Sequence, residues 1–170
     1  MTHNTILGLL VSSLASFSVF AADVKIGYVD MQKAIQETAA GKKAKKELED
    51  EFNKKKKDLE KREADIKKMH EDFEKRSMAM NEDARMKKQN EIRGEMGKYQ
   101  ENAAKAQMEI QKKERDLTQP IVTRLRTLLE DIAKKEDYTV ILEKAENSVM
   151  WAKKEIDLTD RLIKAYDGKK

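Results

Sequence analysis

From about residue 38 to residue 117 the apolar positions recur at helical spacing in two runs. Phe52, Leu59, Ile66, Phe73 and Met80 return once per heptad, and Ile92, Met96, Tyr99, Ala103, Ala106 and Ile110 alternate steps of four and three. Each run lays one apolar stripe along one face of a helix, with charged residues around the rest, which is the coiled-coil pattern. The two runs also fit each other. If the chain folds back on itself, facing residue numbers should sum to a near-constant. Phe52 with Ile110, Leu59 with Ala103, and Ile66 with Met96 do so, and Leu48 with Leu117 and Phe73 with Ile92 come close. The spacing predicts an antiparallel helical hairpin with arms roughly 50–60 Å long. Its turn falls near Asn81, a good N-cap, followed by Glu82 and Asp83, which suit the first turn of a helix.

The flanks carry a different pattern. Val24, Ile26 and Tyr28 alternate with Lys25 and Gly27 and predict a short strand with one apolar face. Asp30 caps a short helix through Met31, Ala34 and Ile35. Beyond the second arm stands Pro120, the chain's single proline. A proline inside a helix removes a hydrogen bond, but at the first helical position it costs little. A break at Thr118 or Gln119 is therefore expected, with Pro120 as a restart or kink before Ile121, Leu125, Leu128, Leu129 and Ile132. Tyr138–Leu142 reads as a strand, 144–148 as a turn and Val149–Ala152 as a further strand carrying the lone Trp151. Alternation with Met150 and Ala152 predicts that Trp151 is buried in the head. Asp157 then caps a last helix through Leu158, Leu162, Ile163 and Tyr166, with Asp160 in the capping-box position.

The expected fold is α+β, mostly α. It has a small β-rich head made from residues 22–37 and 117–170. A long coiled-coil hairpin arm spans residues 38–116, with its tip near 79–84. A sheet that small is marginal by itself, and oligomerisation through its strands is the expected remedy.

Composition narrows the function. Residues 1–21 hold no Lys, Arg, Asp or Glu, the run from Ile6 to Phe20 is apolar but broken by serines, and Val19-Phe20-Ala21 fits a small-residue cleavage site. This reads as a secretory signal peptide, too short and interrupted for a membrane span. Charged residues make up 40% of the chain and aromatic ones 5%, poor material for one compact core but right for long helices with wet outer faces. There is no cysteine, so thiolate chemistry, disulfides and cysteine lipidation are excluded. Past the signal segment the only histidine is His70, with no partner group to form a catalytic constellation. No phosphate loop is present. Gly94-Glu95-Met96-Gly97 has the spacing of a nucleic-acid clamp but sits inside a heptad run. No enzyme activity, cofactor or metal is expected.

Lys25-Ile-Gly-Tyr-Val-Asp-Met31, Leu117-Thr-Gln-Pro-Ile121, Tyr138-Thr-Val-Ile-Leu142 and Ile156-Asp-Leu-Thr159 together resemble the Skp (OmpH-like) family of periplasmic chaperones. The resemblance implies a periplasmic homotrimer. Its head is β-rich, and three helical arms enclose a cavity in which unfolded outer-membrane β-barrel proteins are held without ATP.

On that footing, six of the nine methionines lie in the arms, and methionine suits surfaces that meet many apolar partners. Met78, Met80, Met86 and Met96 are the candidate client-binding residues; Met80 and Met96 also fit the seam between the helices. Arg85, Lys87, Lys88 and Arg93 form a basic cluster near the tip, suited to anionic lipid or lipopolysaccharide. Export makes nucleic acid an unsuitable partner. Ile26, Tyr28, Val140 and Trp151 are the candidate trimer contacts of the head. Gly94 and Gly97, one turn apart, are either a flexible point in the second arm or small residues that let the helices pack closely. Two other readings stay open: a structural coiled-coil spacer of the cell envelope, and an envelope protein that binds anionic lipid or lipopolysaccharide.

Overall fold

The computed structural model describes residues 24–145, 149 and 151–168. The expected signal peptide, residues 1–21, lies outside the described residues. The chain runs β1 (Ile26–Val29), α1 (Met31–Glu37), α2 (Ala39–Arg76), α3 (Glu82–Lys135), β2 (Val140–Glu143) and α4 (Thr159–Gly168), with 3-10 turns at Ser77–Ala79 and Lys154–Ile156. It is a mostly helical α+β fold, with a long antiparallel hairpin of α2 and α3 rising from a small head.

Each helix begins where a side chain can take up its first free amide. The Asp30 carboxylate accepts from the Lys33 amide at 2.8 Å at the start of α1. The Thr38 hydroxyl accepts from the Gly41 amide at 3.1 Å at the start of α2, and Thr38 is fully buried. The joint between α1 and α2 is tight enough to require glycine. A Cβ on Gly41 would stand 1.6 Å from the Ile35 carbonyl oxygen. Asn81 caps α3 by accepting from the Ala84 amide at 2.9 Å, and Glu82 and Asp83 occupy the first turn. The predicted turn of the hairpin is thus found in place, its anionic residues set against the positive end of the helix.

In the head, the inner face of α3 (Ile121, Leu125, Leu128, Ile132) packs against Val29, Met31 and Ala34 from one chain end and Leu158, Leu162 and Tyr166 from the other. Leu125 and Leu162 are wholly enclosed, and burying each contributes about 1.5–3 kcal/mol. β1 and β2 pair in parallel, Ile26 opposite Val140 and Tyr28 opposite Leu142. On the other side of β1 a single bridge joins Tyr28 to Asp157. The chain ends are clipped together by polar contacts. Asp30 donates its amide to the Thr159 hydroxyl at 2.9 Å, and Lys33 Nζ donates to Asp160 at 2.8 Å. Arg124 donates to the Tyr166 carbonyl at 3.0 Å, its guanidinium lying over the Tyr166 ring.

Several expectations are corrected. The helix does not break at Thr118 or Gln119; α3 runs unbroken through Pro120. Pro120 is exposed, so the carbonyl that loses its partner faces water, while the apolar inner face holds the helix on both sides. The described part of Val149–Ala152 is not a strand, and Met150 lies outside the described residues. Trp151 is not buried in the single chain: it is 79% exposed. β1 carries apolar residues on both faces. Gly27 and Val29 point into the core, and Ile26 points outward. Gly27 lies beneath Leu158 and Tyr138, where a Cβ would come within 2.9 Å of Leu158 Cδ1 and would push that side chain aside. Asp160 does not complete a capping box; its carboxylate is taken by Lys33, while Asp157 accepts from the Thr159 amide at 2.9 Å.

Candidate functional site

Two surfaces stand out, the arm and the outer face of the head. Along the arm, cross-helix ion pairs fix the register read from the sequence. Lys55 Nζ donates to Glu109 at 2.5 Å, and Lys113 reaches Glu47 at 3.7 Å. The hydrogen bond from Lys55 holds the Glu109 carboxyl below its usual value, and the same bond raises the Lys55 ammonium above its own.

Between these pairs the seam is only partly closed. Leu59, Ile66 and Phe73 are half-buried, Ile92 is buried, and Phe52 is 53% exposed. A groove of about 520 Å³ runs along the seam over Phe52, Leu59, Ala103, Ala106 and Ile110. Large residues on α2 face alanines on α3, and two helices alone cannot cover the stripe. A second cleft, of about 500 Å³, lies where the arm meets the head, over Ile35, Ala44, Leu48, Leu117 and Ile121.

At the tip the exposed apolar surface is methionine. Met78, in the 3-10 turn, is 97% exposed; Met86 is exposed on α3 and Met80 is half-buried. Further along α3, Met96 and Met108 are also exposed. On the same run of α3, Ile92 is buried and Tyr99 half-buried, so Met96 is the most open of the three. The heptad count missed Met108, because it assigned apolar residues to the seam and Met108 lies off it.

The four basic candidates all sit on the first four turns of α3, but they differ. Arg85 is drawn to Glu82 at 3.7 Å and Lys88 to Glu91 at 2.9 Å. Among the described residues Lys87 and Arg93 have no ion-pair partner. His70 is exposed beside Glu74 at 3.9 Å. Gly94 and Gly97 are both exposed, and a Cβ at either would touch nothing within 4 Å, so they do not serve close packing within the hairpin.

On the head, the parallel register places Ile26 beside Val140 and Tyr28 beside Leu142 on the outward face of the sheet. Ile26, Val140 and Leu142 are exposed, as are Val24 and Trp151. Tyr28 is held there by its bridge to Asp157. Burial would raise the Asp157 carboxyl, but hydrogen bonds from Thr159 and Tyr28 outweigh it and hold the carboxyl below its usual value. The head candidates Ile26, Tyr28 and Val140 thus share one face. Among the described residues no strand pairs with the far edge of β2.

Among the described residues, no helix is long and apolar enough to cross a membrane, and no cluster of three or more His, Asp or Glu is placed to hold a metal ion.

The comparisons with known proteins agree with this architecture. The chaperone protein Skp of Vibrio cholerae is 26% identical over 161 residues, covering 94% of each chain. A solved OmpH-like structure from Caulobacter crescentus CB15 superposes with a TM-score of 0.76 over 86% of each chain at 16% identity, which shows a shared fold. The model of the family described as outer membrane protein (OmpH-like) matches residues 25–166, from the first strand to the last helix, and the chain belongs to that family.

Proposed function

We propose that the chain is an exported holdase chaperone of the periplasm. It holds unfolded outer-membrane β-barrel proteins between helical arms, without ATP, and so prevents their aggregation. The observation that carries the reading is the exposed apolar surface of the arms. Met78, Met86, Met96, Met108 and Phe52 stand in solvent on helices that are otherwise charged. A spacer would gain nothing from such surface, which costs solubility. A holdase uses it, since flexible thioethers accept apolar segments of many shapes. The relationship to a protein named chaperone Skp supports the same reading.

The outward face of the head supports assembly as a homotrimer. Ile26, Tyr28, Val140 and Trp151 are the contacts, and joining the heads brings three arms around one cavity. The Lys87 and Arg93 charges at the tip favour contact with anionic lipid or lipopolysaccharide at the membrane surface. No catalytic step is assigned.

The test is suppression of aggregation. A urea-denatured outer-membrane β-barrel protein diluted into nucleotide-free buffer should stay soluble in the presence of the mature chain. Unchanged light scattering would reject the holdase reading. Binding of lipopolysaccharide without client protection would leave the anionic-lipid reading in its place.

A further inference from the structure

From Glu74 to Glu91 every apolar side chain larger than alanine is a methionine: Met78, Met80 and Met86. The seam nearer the head uses Phe52, Leu59 and Ile66 instead. The head core is built from Leu, Ile, Val and Tyr, with Met31 its one methionine among the described residues. The larger apolar side chains of the arm tip are therefore all oxidisable, and Met78 is more exposed than Met86, Met96 or Met108. The chain has no cysteine, so no thiol competes for an oxidant.

We propose that the tip methionines, Met78 foremost, are an oxidation site through which a peroxide-class oxidant reversibly switches the tip from apolar to polar. Met78 is 97% exposed in a short 3-10 turn, whereas Met31 is 8% exposed inside the head. In the step, the Met78 thioether sulfur attacks one oxygen of hydrogen peroxide. An S–O bond forms as the O–O bond breaks, sulfur gives up two electrons, and the second oxygen leaves as water. The sulfoxide is returned to the thioether by a dithiol-dependent reductase, whose thiols become a disulfide while the oxygen departs as water. The sulfoxide is polar and a strong hydrogen-bond acceptor, so an apolar client segment no longer gains from contact with it. Because Met78 packs against nothing that holds the fold, the head and the hairpin survive the change.

This inference rests on the holdase reading, and the experiment separates the two. The mature protein is treated with limiting hydrogen peroxide, and oxidation at each methionine is followed by peptide mass spectrometry. Met78 should oxidise at least about fivefold faster than Met31, as exposure governs access. Protection of a urea-denatured outer-membrane β-barrel protein should fall in parallel, with unchanged circular dichroism, and return after treatment with a methionine sulfoxide reductase and dithiothreitol. A variant carrying Met78→Leu, Met80→Leu and Met86→Leu should lose to peroxide a smaller fraction of its own untreated protection than wild type does. Met78→Gln, which imitates the polarity of the sulfoxide, should lower protection without peroxide. Equal oxidation rates at Met78 and Met31, or equal fractional loss of protection in wild type and the leucine variant, would overturn the inference. Absence of protection by the untreated protein would overturn the holdase reading, and the switch with it.

Discussion

Leu125 on α3 and Leu162 on α4 belong to one head core, both wholly enclosed, and Met78 stands exposed at the arm tip. The contrast fixes what substitutions should do. Leu125→Ala or Leu162→Ala should cost about 2–5 kcal/mol by the lost burial and the cavity left behind. Met78→Ala should stay within about 0.5 kcal/mol. Urea unfolding midpoints measure both. Charge at single residues sets a pH window for the arm. Glu109 is held below its ordinary value of 4.5 by the Lys55 hydrogen bond, so its share of stability is present above 4.5 and lost as pH falls through the depressed folded value. Lys55 is raised above 10.5 by the same bond, so its share is present below 10.5 and lost as pH climbs through the raised value. Both groups are partly open to solvent, so the effect is small and screened by salt. The acid and alkaline losses measured by arm unfolding should both shrink in Lys55→Met. Persistence of both at full size in that variant would remove the pair from the account.

At the scale of elements, the hairpin was legible because its signals are local and repeated. The heptad runs, the Asn81 cap and the acidic first turn each point to the same fold-back, and the structure has it there. The ends of the chain were less legible, because tertiary packing outvoted local rules. A single exposed proline could not stop a helix whose inner face is held by Ile121, Leu125, Leu128 and Ile132. β1 is apolar on both sides apart from Gly27, so alternation alone could not say which side meets α3. The outward candidates Ile26, Tyr28 and Val140 were found, but the buried pair Gly27 and Val29 was not. Trp151 misled because a large apolar residue in a chain poor in aromatics reads as core, whereas in the single chain it lies outside.

Two element-scale outcomes follow. Pro120→Ala should raise stability by about 1–2 kcal/mol, because a continuous helix regains one backbone hydrogen bond there. A break before residue 120 would leave the thermal midpoint unchanged. Gly94→Ala with Gly97→Ala should stiffen α3, by about 0.5–1 kcal/mol per site, since neither position is crowded. Amide exchange around Met96 should slow and the largest clients should be protected less well. Unchanged exchange would show that the glycines are not a soft point.

For the whole molecule, the head must supply what a sheet of two short strands cannot. Ile26, Val140 and Leu142 leave apolar surface on one side of it, and Trp151 is exposed as well, as the proposed trimer requires. Val140→Asp or Ile26→Asp should dissociate the assembly, and Trp151 emission should move toward longer wavelength as the residue passes from interface to water. Variants that stay trimeric with unshifted emission would place the interface elsewhere. Native mass spectrometry tests the central claim most directly, with the mature protein alone and then mixed, in nucleotide-free buffer, with a urea-denatured outer-membrane β-barrel protein. The account predicts a trimer in the first case and a trimer carrying the unfolded client in the second. A monomer in the first and no complex in the second would contradict it.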